Sequence, residues 1–168
     1  MAAQNQQRPP SARSTTAGGR TPRATSDLKG FGSEPHDFEV FLTFAPIQQS
    51  RLIREGMQAK ILGRIASELL DITLQSLLLS LRLPSSTILR KIATKDRLSS
   101  SESDRAARTM LIHAQAADVL EDKSLASQWM LHPNVELLGE KPLDMLDTQS
   151  GYDRVRDLLL RLEHGIAV

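Results

Sequence analysis

The stretch DITLQSLLLSLRLPSSTILRKI, Asp71–Ile92, decides the fold class. Asp71 or Thr73 is placed to cap a helix running to Ser80, because a short oxygen-bearing side chain accepts from the free N–H groups of a first turn. Arg82-Leu83-Pro84 then breaks the run, since proline pushes the residue before it out of the helical region. Ser85 or Ser86 opens a second helix through about Ile92, with Ile88, Leu89 and Ile92 available for packing. Two short helices joined by a tight turn, the second carrying Arg90 and Lys91, have the outline of a helix-turn-helix. On that outline Ser85, Ser86, Thr87, Arg90 and Lys91 are the candidate DNA-contacting residues.

Upstream, Ile53, Met57, Ile61, Ile65 and Leu69 recur at four-residue steps, with Arg51, Arg54, Lys60 and Arg64 off that stripe. This period predicts helices over about 49–55 and 58–70, with Gly56 near their seam. Asp37 to Pro46, with Phe38, Val40, Phe41 and Phe44, reads as a strand or a docking hook ended by the proline. Downstream, LSSSESD (98–104) reads as a loop entering a long helix, with Ser101 or Ser103 as its cap and Glu102 and Asp104 facing the positive helix end. Apolar positions from Ala107 through Met110, Leu111, Ala114 and Ala117 to Leu120 continue that helix, whose small alanines let neighbours approach closely. The expected class is all-α: an N-terminal helix-turn-helix-like domain, a long connecting helix and a small C-terminal helical subdomain.

The chain has 168 residues, room for one ordinary domain or two small modules with a tail, but not for a large two-domain enzyme. Four Phe, one Trp and one Tyr leave the core to Leu and Ile. The absence of cysteine removes disulfides, thiolate zinc sites and cysteine nucleophiles, and fits a reducing compartment. Leu77-Leu78-Leu79 stops at Ser80, far short of the roughly 20 apolar residues that cross a bilayer, so no membrane partner and a cytoplasmic location are expected. Net charge is +1 but segregated: residues 1–30 carry five basic side chains against Asp27 alone, 82–108 carry seven basic and three acidic, and 118–168 carry five basic and ten acidic. Such an arm, rich in Pro, Gly, Ser and Thr, lacks the apolar surface to offset ordering, so 1–35 is expected to be a disordered basic arm.

Catalytic constellations are not found. His36, His113, His132 and His164 are scattered without metal-clamping spacing, so no metal site is expected. Ser99, Ser100, Ser101 and Ser103 lack a glycine-flanked nucleophile elbow. Gly18-Gly19 and Gly30-Phe31-Gly32 have no preceding strand or Gly-Lys-Ser/Thr step to cradle a phosphate. The expectation is a binding protein with no catalytic residues and no cofactor.

The last third holds the most specific pattern. Leu125–Leu131 reads as a short helix ended by His132-Pro133-Asn134, Pro142–Leu146 as one helical turn, and Gly151 to about His164 as a final helix capped by Asp147-Thr148. The run WMLHPNVELLGEKPLDMLDTQSGYDRVRDLLLRLEHG, Trp129–Gly165, resembles the toxin-binding domain of the Xre/MbcA/ParS antitoxins. The likeness extends weakly upstream through Gly56, Thr87, Arg90 and Leu98–Arg105. It implies domains at 36–105 (Xre-like, helix-turn-helix) and 106–168 (toxin-binding). It also implies an antitoxin that neutralises a RES-domain toxin, an enzyme consuming NAD by degradation or ADP-ribosyl transfer. The antitoxin's C-terminal region would plug the NAD pocket, and its helix-turn-helix would bind operator DNA. The alternative is a stand-alone helix-turn-helix regulator.

By position the toxin-contacting residues are Arg161, Glu163, Gly165, Ile166, Ala167 and Val168. Gly165 frees the tail from the helix axis, Ile166 and Val168 offer apolar contact, and the terminal carboxylate can meet a cationic group. Trp129, Leu143, Leu146, Val155, Leu158 and Leu159 read as the subdomain's own core, Pro133, Gly139 and Gly151 as turn formers, and Asn134, Asp144 and Thr148 as ties between loops and helix ends. A homodimer within the toxin complex is expected. Two departures from the family fall in the helix-turn-helix: Leu78 stands where a small Ala is usual, and Arg82 where the turn favours Gly. A positive φ at Arg82 would cost roughly 1 kcal/mol relative to Gly, which weakens the case for sequence-specific DNA readout.

Overall fold

A computed structural model describes residues 31–34 and 36–165, and these form an all-α fold. Its helices are α1 (Asp37–Thr43), α2 (Pro46–Glu55), α3 (Lys60–Arg64), α4 (Leu74–Ser80), α5 (Ser85–Ala93), α6 (Ser100–Leu120), α7 (Lys123–Leu131) and α8 (Gln149–Glu163). Helix α3 runs on as a π-helical turn, Ile65–Leu69, and two short 3-10 turns, Val135–Leu137 and Pro142–Met145, lie between α7 and α8. The N-terminal arm, residues 1–30, lies outside the described residues, as do Ile166, Ala167 and Val168.

Helix α6 is the spine. Its Ala106, Ala107, Met110, Ile112 and Ala116 are buried, and α1, α2 and the π-helical turn pack on it from one half of the chain, α7 and α8 from the other. Ser99, not Ser101 or Ser103, is its cap: the Ser99 hydroxyl accepts from Glu102 N–H at 3.2 Å, and the Glu102 carboxylate accepts from Ser99 N–H at 2.6 Å. Ser103 is buried because its hydroxyl accepts from Met57 N–H at 3.0 Å, a contact between residues far apart in the chain. Gly56 does mark the seam between α2 and α3. Its φ is +85°, and a Cβ there would lie 2.3 Å from the Leu98 carbonyl oxygen, so the backbone crossing admits no side chain.

The segment expected as a strand or hook is a helix, α1. Asp37 in its first turn is buried, and its Oδ2 accepts from Gly32 N–H and Glu34 N–H, each at 2.7 Å. Opposite it, the buried Arg64 guanidinium bonds Glu68 at 2.8 Å, stands 3.9 Å from Asp37 and covers the Phe38 ring at 4.5 Å. The ordered fold therefore begins before residue 36. Phe31, placed in the arm by the sequence reading, is only 4% exposed, with its ring 5.9 Å from that of Phe41 and 6.3 Å from that of Phe44. An aromatic side chain of that size contributes by burial what the polar arm residues cannot.

At the other side of α6, His113 is buried with Nε2 3.0 Å from the Ser127 hydroxyl, which donates to the Leu69 carbonyl at 2.5 Å. This small network joins the π-helical turn, α6 and α7. Burial, reinforced by the Lys123 charge, pushes the His113 pKa below its ordinary value despite hydrogen bonding to the backbone of Lys123 and Leu69.

Candidate functional site

Two short helices, α4 and α5, stand on either side of Arg82-Leu83-Pro84. Thr73, one of the two expected caps, accepts from Ser76 N–H at 3.1 Å. Arg82 adopts the left-handed conformation expected of it, φ 49°, and two arrangements hold it there. Arg105 on α6 donates to the carbonyls of Leu81 and Arg82, each at 3.0 Å, and the Arg82 side chain reaches Asp147 at 3.0 Å. Leu78, the other departure, is wholly buried, so its extra volume fills the core beneath the turn.

The five candidate DNA-contacting residues divide. Ser86 and Arg90 are exposed, and Ser85 and Thr87 are half-buried at the start of α5. Lys91 is turned inward: its Nζ donates to Glu102 Oε2 at 2.5 Å, and its side chain is largely covered. Burial works against the Glu102 charge, but the Lys91 ammonium and the Ser99 hydrogen bonds prevail and hold its carboxyl below the usual range. Lys91 thus ties α5 to α6 and is not free to meet a phosphate. Proximity along a helix gave no sign of this, because the partner lies eleven residues on, across a turn.

The C-terminal subdomain closes around Asn134. Its side chain accepts from Glu136 N–H at 2.9 Å, its carbonyl accepts from Gly139 N–H at 2.9 Å, and its N–H donates to Glu140 at 3.0 Å. Thr148 caps α8 by accepting from Gly151 N–H at 3.1 Å, as the sequence indicated. Leu143, Leu146, Val155, Leu158 and Leu159 are buried as expected, whereas Trp129 only packs against the core and remains half-buried. Gly151 has no room for a side chain, since a Cβ would lie 2.0 Å from the Met145 carbonyl oxygen.

Arg161 and Glu163 occupy the last turn of α8, and Gly165, φ 63°, leads out of it. Arg161 is half-buried and lies 3.6 Å from Glu136, while Arg154 donates to the Glu136 carbonyl at 3.0 Å. The end of α8 is thereby pinned to the loop after α7. On that loop two apolar side chains stand in solvent, Val135 at 90% and Leu138 at 94% exposure, the second in the left-handed conformation with φ 58°. That conformation costs a bulky residue on the order of 1 kcal/mol. The sequence reading missed both, since Val135 and Leu138 resemble core residues until their backbone is known.

Among the described residues no cluster of His, Cys, Asp or Glu is arranged to hold a metal, and no helix is long and apolar enough to cross a membrane. The described residues form an all-helical architecture in which α1 and α2 on one side and α7 and α8 on the other are built on one shared helix, α6. Residues 115–165 match the family described as the antitoxin Xre/MbcA/ParS C-terminal toxin-binding domain.

The chain is 40% identical over 78 residues to Antitoxin Xre of Photorhabdus laumondii, covering 46% of this chain and 53% of the relative. It is 35% identical over 85 residues to Antitoxin Xre of Yersinia enterocolitica, covering 50% and 57%. It is 25% identical over 146 residues to a Sphingobium protein named Prs ADP-ribosylating antitoxin, covering 82% and 91%. The chain thus spans about half the length of the Xre relatives it matches and nearly all of the Sphingobium one.

Proposed function

We propose that this protein is an antitoxin, a cytoplasmic binding partner without catalysis of its own, that neutralises a RES-type NAD-consuming toxin by obstructing its NAD pocket with the C-terminal region. The observation that carries the reading is the match of residues 115–165 to a toxin-binding domain, a segment that coincides with the closed subdomain formed by the end of α6, α7 and α8. The pinned last turn of α8 supports a tail presented from a fixed point. Arg161, Glu163 and Gly165 belong to that point, and Ile166, Ala167 and Val168 continue from it. Homodimerisation of the antitoxin within the complex belongs to the same reading.

The test is co-expression with the product of the adjacent reading frame, followed by an NAD-consumption assay on the purified complex. Full-length protein suppresses the activity. Removing residues 162–168 releases activity while binding largely survives, because the buried faces from Met130 to Leu159 stay folded. Unchanged inhibition by the truncated protein would sink the plug. A second role, operator binding, is favoured by the exposed Ser86 and Arg90 on α5. It predicts a promoter mobility shift that weakens with salt and is lost on Arg90→Ala.

A further inference from the structure

The geometry points to Val135 and Leu138 as a preformed apolar knob that seats in an apolar pocket on the toxin, a second grip distinct from the tail. This rests on the antitoxin reading above and names the surface by which the partner is held. Two large apolar side chains almost fully in solvent, three residues apart on one loop, are unusual in a soluble helical protein, where exposed apolar groups marking contact sites come in clusters.

The loop is also rigid. Asn134 closes it through its side chain and both backbone groups, and Arg154 and Arg161 hold Glu136 between the two apolar residues. Leu138 is kept in a left-handed conformation that glycine would adopt freely, so the loop carries strain with no packing return inside this chain.

The position of the loop supplies the occupant. It lies within the segment matching a toxin-binding domain, and Arg161 joins it directly to the turn from which the tail emerges. The loop that carries Val135 and Leu138 therefore adjoins the end of α8, within 3.6 Å at Arg161 and Glu136. Glu140 and Lys141, both exposed, follow immediately and would form the polar rim of such a contact.

The experiment is calorimetric titration of the full chain against the product of the adjacent reading frame, comparing wild type with V135S, L138G and their combination. Each variant changes an exposed side chain, and L138G relieves the left-handed strain, so thermal stability is retained or raised. The expected result is wild-type binding, with affinity weakened about tenfold by L138G and further by the pair, from the lost apolar burial. Wild-type binding undiminished in the pair would overturn the knob and leave the antitoxin reading standing. Absence of binding by wild type would overturn both. Sedimentation that shows the pair changing self-association, with toxin affinity intact, would assign the knob to a second copy and overturn the proposal.

Discussion

Gly63 and Gly151 both sit in helices, and the same substitution at each has opposite consequences. Replacing a helical glycine with alanine ordinarily stabilises by about 1 kcal/mol, because alanine has less backbone freedom to lose. At Gly63 nothing lies within 4 Å of an added Cβ, so that gain stands. At Gly151 the Cβ would meet the Met145 carbonyl oxygen at 2.0 Å and its carbon at 2.9 Å, against an ordinary contact beginning at 3.4 Å. The obstacle is backbone and cannot rotate aside, so the start of α8 and the preceding 3-10 turn must move apart. Overpacking of this kind costs about 1–3 kcal/mol, and a backbone obstacle at 2.0 Å puts Gly151 at the upper end, so after the helical gain Gly151→Ala is destabilised by up to about 2 kcal/mol. Urea unfolding followed by circular dichroism measures both, and a shift of about 2–4 °C in Tm per kcal/mol gives a second readout. A Gly151→Ala protein as stable as wild type, or a Gly63→Ala protein equally weakened, would refute the packing argument.

Three further outcomes are expected. Arg82→Gly relieves about 1 kcal/mol of left-handed strain but forfeits an exposed ion pair worth no more than about that, so stability should move by less than about 1 kcal/mol; a loss of several would show that the turn depends on the Asp147 contact. His113 is held neutral by burial, so the unfolded chain binds a proton that the folded one refuses. Stability is then full above about pH 6.5 and declines as pH falls through that value until the folded histidine titrates, and His113→Gln should flatten the decline in urea midpoints. Glu102→Ala removes a cap and strands Lys91, costing about 1–3 kcal/mol, whereas Glu102→Gln keeps an acceptor and should lose less; equal losses would assign the effect to charge alone.

Local chemistry was legible in the chain, and long-range pairing was not. The side chains of Thr148, Asn134 and Thr73 each accept from a backbone N–H within three residues, so oxygen-bearing side chains before an apolar period were enough to place them. Gly56 was likewise visible at a seam, whereas the left-handed Arg82 followed from the family resemblance, in which that turn position favours Gly. Ser103 was misread as a cap because its true partner, Met57, lies 46 residues away. Lys91 was read as a surface cation for the same reason, its partner being on another helix. Helix α1 was mistaken for a strand or hook because four aromatic and β-branched residues outweighed the Asp37 and Arg64 pairing that only the fold brings together. The π-helical turn after α3 has the same apolar period as an α-helix and left no mark in the spacing.

Arg105 and Arg108 stand one turn apart on α6 and serve opposite halves, the first holding the carbonyls of Leu81 and Arg82, the second reaching the Leu146 carbonyl at 3.4 Å. The boundary expected from sequence, between residues 105 and 106, falls between these two side chains. That boundary lies inside α6, a single unbroken helix from Ser100 to Leu120. A fragment ending there keeps Arg105 but loses the buried Ala106, Ala107 and Met110 of the helix on which α1 and α2 pack, and a fragment beginning there starts midway along a helix with no cap. Melting of the described helices should be one event whichever end is probed, and proteases should find no scissile seam between α1 and α8 that liberates a working piece. A change felt by one half is expected to reach the other through α6, the beam against which both are packed.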